Sequence, residues 1–424
     1  MRADHAYAAI RLDLLRVVVS MLLLLSPEFR IALSVIERVS PIAPAPFGFG
    51  WVVEHIGPHL LLGQLSLALI YGGALLGLLG WRARSGLALA ALGQLYLIGW
   101  LQMRGAAVHC HHLLWLTVAL AASPCSDVLR IGHRPTLYAG RRYRDGLMAV
   151  WAIFAMIFFF PGWFKLTLGG ASWLSGETLY HTTLWKAAQY WDQPITLSFE
   201  SARAYAPLSW GAILFELSAP LLLLWWKRTG VFCVLAIGFH IGTALMLNIH
   251  FTNLWPCYVA LLPWERWLAL TQTSEAQRVV LRDERSHRMR FALAPLLVGV
   301  LYAGATMNLS GWPFACYPTF HQEISHKMPL MSVVVRDQEG RARRIHHQRY
   351  LRPNNRAWGE NWRLAGFYSP VDERALRAFA RSKIKPLLKP TDDSVTLYRS
   401  SINLLNHDIK DRKRLFSIAT RDLK

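Results

Sequence analysis

Apolar stretches of roughly 18 or more residues recur along this chain, and a run of that length crosses the hydrocarbon core of a bilayer as a helix. Lipid offers no partner to backbone N–H and C=O groups, so such runs are committed to α-helix. Window length marks about nine spans, at 10–27, 59–81, 85–104, 111–126, 146–165, 206–226, 229–248, 251–269 and 291–309. Composition agrees: of 424 residues, 53% are hydrophobic and 17% charged, where soluble domains carry about a quarter charged. The expected fold class is an all-α polytopic membrane helical bundle of about nine spans with a small C-terminal α+β extramembrane domain. The first unit is placed at 1–309 and the second at 310–424.

The formal net charge of +20 would suit a nucleic-acid partner. The basic residues, however, lie in short loops between spans, where topology accounts for them, so the expected partner is the lipid bilayer and not nucleic acid. Arg82 and Arg84, then Arg130 to Arg144, then Lys227 and Arg228, then Arg278 to Arg290 occupy alternate loops. The positive-inside rule makes that face cytoplasmic, with the N-terminus beside it. Nine spans then leave residues 310–424 on the outer side. Arg11, Asp13 and Arg16 interrupt the first run and argue against a cleavable signal. Asp13 and Arg16 stand one turn apart, as an ion pair would.

The tail reads as strand and helix. Met331–Ile345 forms an expected hairpin turning at Asp337–Gly340, Val371–Leu388 a helix, and Ser394–Leu405 a further strand. The chain has five Cys, an odd number. Cys110 and Cys316 both fall on the outer side, where an oxidising compartment would permit a clip between them.

Within the bundle the informative stretch is Phe158–Tyr180, where Pro161, Gly162 and Lys165 close an apolar, aromatic run. An ammonium there must snorkel to water, pair, or sit neutral in a pocket, and Phe158, Phe159, Phe160 and Trp163 could line that pocket. Glu216 and His240 are ionisable groups at bilayer depth, which by default face the bundle interior. Glu216 could equally tie helices together through a neighbouring hydroxyl or His240. His109-Cys110-His111-His112 has metal-ligating side chains but no metal-site spacing, so hydrogen bonding or proton transfer is the expected role and no metal is expected.

Gly162-Trp-Phe-Lys165-Leu166 followed by Trp173-Leu-Ser-Gly176 resembles the vitamin K-dependent gamma-carboxylases and their bacterial relatives, the horizontally transferred transmembrane (HTTM) domain proteins. His111, Glu216-Leu217-Ser218-Ala219, Phe239-His240 and the tail opening at Trp312-Pro313-Phe314 match further pieces in order, covering most of residues 10–330. Two positions depart: the carboxylases have Asn where this chain has Cys110 and Thr243.

The resemblance implies a multi-pass enzyme of a bacterial inner membrane, of the carbon–carbon lyase and quinol epoxidase type, acting at the outer face. Lys165 would be the base, with His111 and His240 as its catalytic partners. Trp163, Trp173, Gly176, Glu216 and Thr243 would form the substrate and cofactor site. The implied cofactor is reduced vitamin K or menaquinol, with oxygen and carbon dioxide, and the implied substrate a secreted peptide or protein. Two other classes stay open: a non-catalytic HTTM factor for maturation, export or immunity of a secreted peptide, and a transporter using Glu216 and His240.

Overall fold

The computed structural model describes residues 2–37, 49–103, 110–132, 142–192, 195–225, 227–262, 264, 325–353, 355–366, 371 and 373–423. Within them the long apolar runs form helices: α1 (Arg2–Leu25), α2 (Glu28–Glu37), α3 (Gly50–His55), α4 (Leu60–Leu79), α5 (Ala83–Gln102), α6 (His111–Ala122) and α7 (Arg142–Thr167). The short α8 (Gly170–Leu174) and α9 (Glu177–Gln189) follow, then α10 (Ala202–Pro220) and α11 (Thr229–Leu247). Pro220 ends regular α-helix in α10, because proline supplies no N–H for the ladder, and Leu221–Trp225 continues as a single π-helical turn.

Among the described residues, four helical segments are long and apolar enough to cross a membrane: Leu60–Leu79, Tyr143–Thr167, Ala202–Trp225 and Thr229–Leu247. Their outward faces carry exposed apolar side chains such as Leu61, Leu65, Leu214, Val234 and Ile241, a surface compatible with a lipid bilayer. The stretch expected as an eighth span, 251–269, opens differently. Phe251–Leu254 turns back and Trp255–Ala260 is a short 3-10 helix with Pro256 in its first turn. The rest of that stretch past Trp264, the span at 291–309, the basic loop 278–290, the tail opening at 312–320 and Cys316 lie outside the described residues.

Asp13 and Arg16 are fully buried, yet their hydrogen bonds hold backbone rather than each other. The Asp13 carboxylate accepts from Val128 N at 2.9 Å and Leu129 N at 2.6 Å. Arg16 donates to the carbonyls of Gly77, Leu78 and Leu129. One turn of α1 thereby fastens the end of α4 and the segment after α6, satisfying backbone groups that a membrane bundle leaves without water.

A sheet unit begins at Lys327. Strands β1 (Lys327–Asp337), β2 (Ala342–Ile345), β3 (Asp392–Asn403) and β4 (Ile409–Ala419) form one antiparallel sheet in the order β2-β1-β3-β4. The expected hairpin at 331–345 is present, turning through Gly340 at φ +81°. Register sets Ile345, Val333, Leu397 and Phe416 in one buried row across all four strands. That row packs with Trp358 of α12 (Asn355–Leu364) and Leu376 of α13 (Glu373–Phe379).

The sheet unit is seated on α9. Leu184, Trp185 and Ala188 from one face of α9, with Trp191 in the turn just past its end, join its core. Trp185 Nε1 donates to Ser325 O at 2.8 Å. Trp191 stacks edge-on against His347 and Trp358, with ring centroids 5.9 and 6.4 Å away.

Candidate functional site

A cavity of about 450 Å³ lies between α7, α9, α10 and α11. Its wall is built at helical spacing: Ile157, Phe158, Pro161 and Lys165 are one stripe of α7, and Pro207, Leu208, Gly211, Ala212, Phe215 and Glu216 one stripe of α10. Gly238, Phe239, His240 and Thr243 come from α11. Exposed residues of α10 (Pro207, Leu208) and α11 (Val234, Leu235) also line it, so the mouth lies between those two helices on their apolar side.

Lys165 is 4% exposed and forms an ion pair with the 2% exposed Glu216, through Nζ and Oε1. It does not snorkel. The ammonium also lies 5.1 Å from the Trp173 ring centroid and 5.8 Å from that of Phe239, within cation–π range. Glu216, expected to tie to a hydroxyl or to His240, takes Lys165 instead. The glycine of the Gly-x-x-Lys motif makes this meeting possible. A Cβ at Gly162 would lie 2.7 Å from Glu216 Cβ and 3.2 Å from Leu217 N, so only glycine lets α7 approach α10 at this level.

His240 is buried on another wall of the cavity, with Nε2 2.6 Å from the Tyr258 hydroxyl and its ring stacked on that of Tyr258. Phe251 covers another side at 4.8 Å between centroids. The Thr243 hydroxyl lines the cavity while donating to the His240 carbonyl at 3.0 Å.

Of the residues singled out from sequence, the cavity brings together Lys165, Trp173, Glu216, His240 and Thr243. Three stand elsewhere. His111 is buried but does not line the cavity, whereas His112 does, with Nε2 2.7 Å from Asn253 O. Adjacent residues at the start of α6 point about 100° apart, so only one of the pair can face inward. Trp163 is 46% exposed and stacks on Phe159. It is two residues from Lys165, about 200° around the helix, on the opposite side from the cavity. The same rotation leaves Phe158 as the only one of the four expected aromatic walls that lines it; Phe160 instead packs on Phe164 in the bundle core.

Gly176 serves the backbone rather than a ligand. It precedes α9 at φ +82°, and a Cβ there would lie 2.5 Å from Ala206 N and 2.8 Å from Tyr205 C. Tyr258, which sequence reasoning missed, sits in the run Trp255–Ala260 that periodicity alone assigns to a span. Cys110 is a buried free thiol, and its expected partner Cys316 lies outside the described residues. Compared with known proteins, the chain matches no family model, no curated protein and no solved structure.

Proposed function

We propose that the chain is a multi-pass membrane protein of the HTTM and gamma-carboxylase kind, in which Lys165 acts as a base toward a lipid-borne substrate. The single observation that carries this is the buried Lys165–Glu216 pair lining the same apolar cavity as His240. Buried, ionisable residues at bilayer depth mark functional sites more often than they stabilise a bundle. One proton moved from Nζ to Oε1 converts the ion pair into an amine and a carboxylic acid without changing net charge. The amine so formed can then take a proton from a substrate hydroxyl, with Glu216 holding the first proton nearby.

The residues fit a quinol. The cavity is mostly hydrocarbon and aromatic, opens between α10 and α11 and carries its few polar side chains at His112, Lys165, Glu216, His240 and Thr243. A bound quinol would supply, with oxygen and carbon dioxide, the oxidative chemistry that the carboxylases couple to modification of a glutamate side chain. The chain's own part is to exclude water with Phe158, Phe239 and Trp173, to orient the head with His240, and to move a proton through Lys165 and Glu216.

The finer topology belongs to the same proposal. About nine spans follow from window length, a cytoplasmic N-terminus and an outer C-terminal unit from the Lys/Arg asymmetry with that count, and a bacterial inner membrane with a secreted peptide as partner from the family resemblance. A non-catalytic HTTM maturation factor is the second reading, favoured by the direct Lys165–Glu216 ion pair, which a purely structural tie would also show. Quinol-dependent oxygen uptake in membranes separates the two. Lys165→Arg keeps a cation beside Glu216 but a guanidinium stays protonated, so uptake is expected to vanish if Lys165 is the base. Uptake at the wild-type rate in Lys165→Arg would return Lys165 to a structural role.

A further inference from the structure

A second, polar pocket of about 260 Å³ opens among the start of β1, the end of β3 and the start of β4. Strand register builds it. Lys327 stands opposite Asn403, and Lys410 opposite Ser401. Asn403 and Ser401 are two residues apart on β3, so all four side chains leave the same face of the sheet. Ser401 is buried and Asn403 half-buried, and they form the floor. The exposed Lys327 and Lys410 flank it from the strands on either side, with half-buried His326 next to Lys327.

The donors around this floor are not spent on one another. Asn403 Oδ1 accepts from Leu405 N at 3.0 Å, which leaves its side-chain NH2 as a donor. Asp408, the one carboxylate in the lining, is held by Asn406 Nδ2 at 2.9 Å rather than by a lysine. Among the described residues neither Lys327 nor Lys410 forms an ion pair. Two ammonium groups beside one pocket repel each other, and an anion between them removes that cost.

The residue types select the anion. A carboxylate is best met in its plane by the fork of an arginine, and no described arginine lines this pocket. Lysine is a compact point charge with freely rotating donors, suited to a tetrahedral phosphate. Lys327, Lys410 and Asp408 sum to one positive charge, the complement of a phosphodiester rather than of a doubly charged monoester. Position adds a further constraint. The His326 ring lies 5.6 Å from that of His181, and Ser325 O accepts from Trp185, so the pocket stands against α9. Leu179, on the same turn as His181, lines the cavity of the bundle, whereas His347 and Trp358 meet Trp191 past the far end of α9. The pocket therefore lies at the bundle end of the sheet unit.

We propose that this pocket binds a singly charged phosphate, the diester found in the head of a membrane phospholipid and in its water-soluble counterpart. The test acetylates the full chain in a maltoside detergent with an N-hydroxysuccinimide ester and reads each lysine by peptide mass spectrometry. Exposed Lys413 of β4 is the internal reference. The probes are dioleoylphosphatidylglycerol, its soluble head glycerophosphoglycerol, dioleoylglycerol and acetate. With phosphatidylglycerol at ten times its Kd, Lys327 and Lys410 should both slow about tenfold relative to Lys413.

Slowing by the soluble head as well supports a site for the phosphate itself; slowing by the lipid alone supports a site for a membrane head. Equal slowing by dioleoylglycerol overturns the proposal in favour of cover by acyl chains, and equal slowing by acetate overturns it in favour of a carboxylate partner. Slowing of neither lysine, or of only one, also overturns it. In Lys327→Gln the concentration of phosphatidylglycerol that half-protects Lys410 should rise about tenfold, because one charge-assisted contact is gone. An unchanged concentration would show that the two lysines do not share an anion.

Discussion

Gly162 and Glu216 face each other across α7 and α10 so closely that a methyl group on Gly162 would lie 2.7 Å from Glu216 Cβ. Gly162→Ala must therefore push the two helices apart or displace the carboxylate. Overpacking of this kind costs about 1–3 kcal/mol, and here it also loosens the contact to Lys165. Thermal unfolding in detergent should show the loss. An alanine variant with unchanged midpoint and unchanged quinol-dependent oxygen uptake would show that this approach is not required.

The buried pair itself has an asymmetric signature. Removing one partner leaves the other without its counter-charge, so Glu216→Ala and Lys165→Ala should each destabilise by about 3 kcal/mol or more. Replacing both, as Lys165→Met with Glu216→Leu, should recover most of that loss, because hydrocarbon packs in the space without stranding a charge. A double-mutant cycle measured by denaturant unfolding checks this, and purely additive losses would contradict a direct pair.

Tyr258→Phe deletes the hydroxyl that meets His240 Nε2 at 2.6 Å and leaves that nitrogen buried. A loss of about 1–3 kcal/mol is expected, larger than the deletion of an exposed hydroxyl would give. Nitrogen-15 NMR of the histidine should show a single tautomer in the wild type and a mixture in Tyr258→Phe.

The sheet unit should respond to acid through His347. Burial, reinforced by the neighbouring positive charge of His346 and His407, lowers its pKa from the ordinary 6.5 to about 4. The unfolded chain thus binds this proton at a higher pH than the folded one. Stability is complete above about pH 6.5 and declines as pH falls toward 4, by about 3 kcal/mol in all. Trp191 and Trp358, packed on the His347 ring, report the change by fluorescence. In His347→Phe the decline should flatten, and an unaltered pH profile would exclude His347 as its source.

Much of this was legible because membrane burial is a coarse physical demand. The apolar runs of α4, α7, α10 and α11 declared themselves by length, and Lys165, Glu216 and His240 stood out as ionisable groups within apolar context. What sequence hid was direction. His111 and His112 differ by one residue, Trp163 and Lys165 by two, and only helix rotation says which faces the cavity. The pairing of Lys165 with Glu216 was equally hidden, since the two residues are 51 apart in the chain. Strand β4 escaped for another reason: its stretch Lys410-Asp-Arg-Lys-Arg414 is all charge, and its place in the sheet comes from pairing with β3 rather than from alternation. The turn at Phe251–Leu254 was masked by apolar composition that a window reads as a span.

Helix α9 belongs to two bodies at once. Its Leu179 lines the cavity, while Leu184, Trp185 and Ala188 complete the core of the sheet unit. A fragment cut at residue 310 would therefore leave behind part of its own interior and present a bare aromatic patch to water around Trp358 and Trp362. The smallest piece that could stand alone as a soluble body must carry α9 with it, grafted out of chain order. Severed from that helix, the sheet unit would stick to itself.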